Sequence, residues 1–382
     1  MVSFKTRYKI INRRELLDKF ASRSWLIGPE EDLSYASALV YGGTTPPRML
    51  EFARPIRLEA PFVCEIPDIE LIGDVALPFL KDNTLFYEAL PCGEEKGLLS
   101  ASVCLKKRQK VDAEYDVAFC LIKPHSRGYF HWIMDCLLCL EGYEFYHKKT
   151  GVKPLLIVDN ELTPFQRDSL KMMGYTEADY IHWSAKCARV KKLVVASIRR
   201  RSEKAATPFD CISPNALRWL RKRIMADFDT AKEEKANPEN IYISRRKASA
   251  RRVLNEDELI SFLVPLGFKS YCLEDLSFND QVKLFSKAKV VVGPHGSGLT
   301  NILWAPENAS VIELMPEKHL HPDYFQLSRA LGHRYAAVIC KAASDKGDIT
   351  VDLAEFRKCL NSILPAQDYY ETKKRSAFFT DT

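Results

Sequence analysis

Apolar residues in the second half of the chain come in short bursts separated by stretches of mixed polarity. Residues 241–244, 269–273, 290–292, 310–314 and 334–339 are runs too short for helices, and turn residues bound them, so they predict strands. Val290, Val291 and Val292 follow one another without a polar interruption, as expected of a parallel strand covered on both faces. Between these runs the spacing predicts helices over 256–265, 279–288, 299–304 and 322–331. Asn255 stands where it can cap the first of them, with Glu256, Asp257 and Glu258 in the first turn, where the helix dipole favours negative charge. Strand and helix thus alternate over about a hundred residues, the pattern of an α/β protein with a doubly wound parallel sheet.

The first half is less regular. Residues 1–114 are proline-rich with short apolar runs of no fixed period, which reads as a mixed strand and loop segment. From there strands are expected at 115–122, 155–158, 180–183 and 193–198, with helices around His131, over 164–173 and over 213–228, so residues 115–232 read as a second α/β lobe. The charged run 232–239, ending Asn237-Pro238, is the expected linker. Residues 240–345 form the other lobe, and 346–382 a late helix over 351–364 with a tail.

Composition frames this picture. A chain of 382 residues, 46% hydrophobic and 28% charged, is globular and long enough for two domains. The net charge is +6, and basic residues gather between Lys186 and Arg252, including Arg199, Arg200, Arg201, Arg218, Arg221, Lys222 and Arg223. Such a surface can meet anionic glycan or phospholipid headgroups, giving peripheral contact with a membrane. Nucleic acid is excluded as a partner, because aromatics are not interleaved with the charges and no nucleic-acid module is recognisable. No run reaches the roughly eighteen apolar residues of a membrane span, and residues 1–7 lead into no signal-peptide core, so a cytoplasmic protein is expected. Eleven cysteines at irregular spacing fit a reducing compartment.

The candidate chemistry sits at the ends of the expected strands. Gly293 and Pro294 end the valine strand, and Gly296, Ser297 and Gly298 allow close backbone approach before Leu299 begins the next helix. Such a turn aims unpaired N–H groups at a ligand and suits a phosphate. It is neither a Walker A loop nor G-x-G-x-x-G, so NTP hydrolysis and dinucleotide chemistry are not indicated. Arg245 follows one strand, His295 a second, and Glu313 ends a third, so three strand ends offer polar groups where ligands of open α/β sheets bind. Arg245 and Arg251 can clamp a diphosphate through paired N–H donors, with the N–H groups of residues 296–299 taking further oxygens. His295 is better placed as a diphosphate or sugar ligand than as a base, and His319 and His321 follow Glu313 closely enough to border the sugar pocket.

His131 and Asp135 stand at i and i+4, on one helical face, as a general base and its orienter. The reading takes His131 as base, with the reversed roles open. Asp227-Phe228-Asp229 matches a metal-binding D-x-D pattern, but it ends a helix and does not follow a strand, so no metal site is expected. Cys136 and Cys139 lie in an apolar stretch without a second pair at zinc spacing and read as buried core thiols.

Several of these residues also carry a resemblance. Ile243-Ser244-Arg245, Arg251 with Asn255-Glu256, Gln281, the run from Ala288 through His295-Gly296-Ser297-Gly298-Leu299, and Val311-Ile312-Glu313-Leu314 with Pro316 resemble the conserved blocks of the family-61 glycosyltransferases. Upstream, residues 128–135 are similar to the family's Asn-x-x-His-x-x-x-Asp element, with Gly128 in place of asparagine. The resemblance implies a GT-B fold of two Rossmann-like lobes facing across a cleft that holds the active site, with the late helix packing back on the first lobe. It implies inverting transfer from a UDP-sugar such as UDP-xylose, UDP-arabinose or UDP-N-acetylglucosamine to a glycan or polysaccharide, the nucleotide-sugar being a substrate with no further cofactor. Ser244, Arg245, Arg251, His295, Gly296, Ser297, Gly298, Leu299 and Glu313 are then the donor-binding set. Eukaryotic members usually carry an N-terminal anchor, so a bacterial or viral enzyme making capsular or other surface polysaccharide at the cytosolic side of the inner membrane is expected. Two alternatives stand beside it: a non-catalytic nucleotide-sugar-binding assembly subunit, which Gly128 favours, and a sugar-nucleotide epimerase or hydrolase on the same scaffold.

Overall fold

A computed structural model describes residues 9–89, 104–105, 108–123, 125–200, 211–226, 228 and 239–364. Arg201, Asp227, Asp229, the expected linker over 232–238 and the tail beyond residue 364 lie outside the described residues. Two units emerge, one of residues 1–32 and 57–220, the other of residues 33–56 and 221–382. Among the described residues no helix is long and apolar enough to cross a membrane.

The first unit is built on a seven-stranded mixed sheet. Its path runs Tyr180–His182, Leu155–Val158, Ala113–Cys120, Cys187–Ala196, Phe62–Ile72, Ser24–Leu26, with Leu77–Phe79 also paired to Phe62–Ile72. The first four strands are mutually parallel, and the long Phe62–Ile72 strand joins them antiparallel, with Leu193 opposite both Ala118 and Ile66. The segment expected as a separate mixed piece over 1–114 therefore supplies strands to this sheet. It also supplies one to the other unit, where Leu39–Tyr41 pairs in parallel with Arg334–Ala342. Short apolar runs predict strands but carry no information about the partner they will find.

The second unit holds a sheet ordered Phe268–Cys272, Glu239–Ser244, Ala288–Pro294, Ser310–Pro316, Arg334–Ala342, Ile349–Thr350. The first five strands are parallel. Numbered along the chain they stand 2-1-3-4-5, a doubly wound order whose switch point lies between the Glu239–Ser244 and Ala288–Pro294 strands. Side chains alternate between two covered faces. Tyr242, Val290, Val292, Ile312, Leu314, Ala336 and Val338 pack with the Glu256–Leu263 and Leu353–Ile363 helices. Ile241, Val291 and Val311, on the opposite face, are fully buried as well. Double coverage is why the valine run carries no polar position.

Two local expectations are corrected. The late helix, Leu353–Ile363, buries Phe356, Cys359, Leu360 and Ile363 in the core of its own unit. Those four positions form one apolar stripe, and the strands beside them offer the nearest apolar face. Asn255 stands at the helix start without capping it; its side chain instead clamps Val351, donating to the carbonyl at 2.9 Å and accepting from the N–H at 3.0 Å.

Candidate functional site

In the first unit the chain leaves the Ala113–Cys120 strand and turns through His125, which adopts a left-handed φ of 69°, into a helix that changes pitch. One α turn, Tyr129–His131, is followed by a π turn over Trp132–Cys136, a 3-10 turn over Leu137–Cys139, and a regular helix over Leu140–Thr150. The sequence predicts no such change, and π turns concentrate at functional sites. Here the wide turn holds Asp135, whose Oδ2 lies 2.8 Å from His131 Nδ1. Asp135 is buried and also meets Arg200, which donates from Nε to Oδ1 and from Nη2 to Oδ2 at 3.3 Å. Arg200 itself is buried, its guanidinium 5.4 Å from the centre of the Phe130 ring.

The electrostatics separate the two candidate bases. Burial works to raise the Asp135 pKa, but the Arg200 charge and the hydrogen bonds from His131 and Arg200 outweigh it and hold the carboxyl at about 2. A carboxylate held that low is a poor proton acceptor at neutral pH and a good orienter. His131 keeps 30% of its side chain exposed, enough for a hydroxyl to reach the ring. Gly128 occupies the cap position of this helix, and a Cβ there would come within 3.2 Å of the His125 carbonyl. Cys136 and Cys139 are free, buried thiols whose pKa values burial pushes up, Cys139 to about 11, so they are core residues.

In the second unit Arg245 and the Gly296 turn meet at the switch point. Arg245 follows the Glu239–Ser244 strand, and its guanidinium donates to the carbonyls of Ala250 and Arg251. A Cβ on Gly296 would lie 2.3 Å from Arg245 Nη1, so the arginine rests on the turn that follows the neighbouring strand. Gly296 is extended, with φ 167°, and its lack of a side chain serves this contact. Gly298 and Gly293 serve packing, since a Cβ on either would crowd Ile243. Arg251 holds a left-handed φ of 58°, a region that non-glycine residues seldom adopt and that clusters at functional sites.

The loop cations divide in two. Arg246 pairs with Glu256 and Asp257, Lys247 with Asp275, and Arg252 with Asp348. Among the described residues, neither Arg245 nor Arg251 has a carboxylate at ion-pair distance. Burial, then the Arg251 charge, lowers the Arg245 pKa. Three histidines add to the cluster: the His295 ring lies 4.8 Å from His319, and His319 lies 4.3 Å from His321. Burial and the charges of His295, His321 and Arg251 bring His319 down to about 4; His321 is lowered first by burial as well. Basic side chains thus crowd one place, with Glu274 acting on Arg245, Asp323 on His321 and Glu313 holding His295, while Arg245 and Arg251 keep no carboxylate at ion-pair distance among the described residues.

Not every predicted donor residue is turned to a ligand. The first helical bond after the turn runs from Leu299 N–H to the Gly296 carbonyl, so Leu299 spends its donor and buries its side chain, while Ser297 and Gly298 precede the ladder. Ser244 accepts from the Arg246 N–H and shapes the loop. Glu313 is fully buried, one oxygen meeting His295 Nδ1 and the other accepting from Tyr335 at 2.6 Å. Gln281 ties the turn helix down by accepting from Asn301 at 2.9 Å and donating to the Leu273 carbonyl. Arg200 and Tyr335 escaped the sequence reading: Arg200 stood in a basic triplet that reads as solvated surface, and Tyr335 in a strand pattern that reads as core.

Residues 129–312 match the family model described as Glycosyltransferase 61. The chain is 30% identical over 121 residues to alpha-1,3-arabinosyltransferase XAT2 of Oryza sativa subsp. japonica, an alignment covering 30% of this chain and 20% of that protein. Over 108 residues it is 33% identical to protein O-linked-mannose beta-1,4-N-acetylglucosaminyltransferase 2 of Xenopus tropicalis, covering 28% and 19%. Over 79 residues it is 33% identical to the EGF domain-specific O-linked N-acetylglucosamine transferase of Mus musculus, covering 19% and 15%. The matches therefore span about a fifth of these relatives' lengths.

Proposed function

We propose, from the premise that the chain belongs through residues 129–312 to glycosyltransferase family 61, that it moves a sugar from a nucleotide-sugar, a UDP-sugar in the first instance, to a hydroxyl of a glycan or polysaccharide. Relatives named as arabinosyl- and N-acetylglucosaminyltransferases support sugar transfer over the alternatives of an epimerase or an assembly subunit. The observation that carries the donor site is Arg245 resting on the Gly296 turn at the switch point of a 2-1-3-4-5 sheet, with the Arg251 charge acting on it and neither arginine holding a carboxylate at ion-pair distance among the described residues.

In this reading His131 takes the proton of the acceptor hydroxyl through Nε2 while Asp135, itself held by Arg200, accepts from Nδ1. The acceptor oxygen forms its bond to the anomeric carbon as the bond to the diphosphate breaks, with inversion. The diphosphate leaves with the electron pair, and Arg245, Arg251 and the Ser297 and Gly298 N–H groups stabilise its growing charge. Two guanidiniums and a helix start supply what a divalent cation supplies elsewhere, so the reaction is read as metal-independent. The GT-B assignment, with one unit carrying the donor and the other the acceptor, belongs to the same proposal. So does residence on the cytosolic side with the exposed basic residues of 186–252 against a membrane, Arg199 and Arg200 being buried, which fractionation of the tagged full chain tests.

Calorimetry with UDP tests the donor site directly. Arg245→Ala and Arg251→Ala should each weaken binding by roughly 1.5 to 3 kcal/mol, the range of a charge-assisted hydrogen bond. Unchanged affinity in both variants rejects the site.

A further inference from the structure

Side chains from two neighbouring strands form a chain of hydrogen bonds that ends on His295. Glu313 lies in the middle of the Ser310–Pro316 strand and is fully buried, and Tyr335 beside it is 1% exposed. The two strands run parallel with Val311 opposite Tyr335 and Glu313 opposite Ala337, so alternation turns Glu313 and Tyr335 to the same face. Tyr335 donates to Glu313 Oε2 at 2.6 Å, and Glu313 Oε1 meets His295 Nδ1. His295 in turn opens the Gly296 turn, its own N–H held at 2.9 Å by the Leu314 carbonyl.

A buried carboxylate in an apolar strand is costly unless its oxygens are satisfied, and this one has two partners. Burial and the neighbouring Glu313 push the Tyr335 phenol far up, so it stays a proton donor. An ionised carboxylate can only accept, so the proton between Glu313 and His295 belongs to Nδ1. Without the Tyr335 hydroxyl, Glu313 would keep one hydrogen bond in place of two. Its carboxylate could then turn away from Nδ1, and the His295 ring would lose the partner that fixes its tautomer.

We infer that Tyr335 is a positioning residue for the donor site: acting through Glu313, it fixes the His295 proton on Nδ1 and leaves Nε2 as the ring nitrogen offered to the nucleotide-sugar. The consequence for binding rests on the donor-site reading; the tautomer does not.

Histidine-labelled full-length protein tests this by nitrogen NMR, with the His295 signals identified from a His295→Gln variant. Wild-type protein should carry the proton on Nδ1. In Tyr335→Phe, which removes only the hydroxyl, the proton should be shared with or moved to Nε2, and UDP affinity should fall about tenfold. Glu313→Gln is the second variant, in which the side-chain amide can donate to Nδ1 and should place the proton on Nε2. An Nδ1 proton as in wild type, in whichever of these two variants folds, overturns the inference whatever UDP binding does. Unchanged UDP affinity in Arg245→Ala and Arg251→Ala would instead overturn the donor-site reading, and the nitrogen signals would still decide the role of Tyr335.

Discussion

Arg200→Met keeps a long side chain in a buried position and removes both N–H groups that Asp135 accepts there. In the native protein burial raises the Asp135 pKa while Arg200 and His131 lower it, leaving about 2. An unfolded aspartate titrates near pH 4, so the shift of roughly two units corresponds to about 2 to 3 kcal/mol of stability. The sign follows from the depressed folded value: the contribution is full above about pH 4 and is lost as the pH falls through about 2. In the variant burial faces only the His131 contact, and the carboxyl rises above the ordinary carboxylate range. A raised carboxyl inverts the sign, penalising the folded state at neutral pH and not in acid. Breaking a buried pair by removing one partner costs about 3 to 5 kcal/mol, which is the loss expected at pH 7. The deficit should narrow steadily between pH 7 and pH 4. Urea unfolding followed by tryptophan fluorescence reads it, because buried Trp132 lies in the same π turn as Asp135. A deficit that stays constant with pH, or no deficit at pH 7, refutes the argument.

Three further outcomes test the rest of the site. His131→Ala should cut turnover by about 10² to 10⁴ while leaving UDP affinity nearly intact, as kinetics and calorimetry on one folded preparation would reveal. Near wild-type turnover with a rate-limiting chemical step would place the base elsewhere. Gly296→Ala should keep the fold, because its Cβ collides with the mobile end of Arg245, 2.3 Å away, but should displace that guanidinium and weaken UDP binding; equal affinity to wild type would sever the arginine from the site. Transfer should persist in metal-stripped protein with excess EDTA, and loss of activity restored by Mn²⁺ would return attention to Asp227 and Asp229.

The α/β alternation of residues 239–342, the valine strand and the glycine turn were legible from the amino-acid order, because period and turn chemistry are local properties. The same holds for His131 with Asp135, since a helical spacing of four dictates proximity; the 2.8 Å contact survives the change of pitch to a π turn. What proximity along the chain could not say is how the two differ electrostatically. That depended on Arg200, sixty-five positions away, whose buried guanidinium drives the Asp135 carboxyl down. Strand order was equally out of reach. Pairing of the Glu239–Ser244 and Ala288–Pro294 strands, separated along the chain by whole helices, brings Arg245 onto Gly296. Glu313 read as a ligand because it ends an apolar run, yet the fold buries it and spends both oxygens on His295 and Tyr335. Local periodicity determines which elements form and which residues share a face. Partner, burial and protonation depend on long-range packing, in which residues remote in sequence share one low-dielectric interior, and only the tertiary structure decides them.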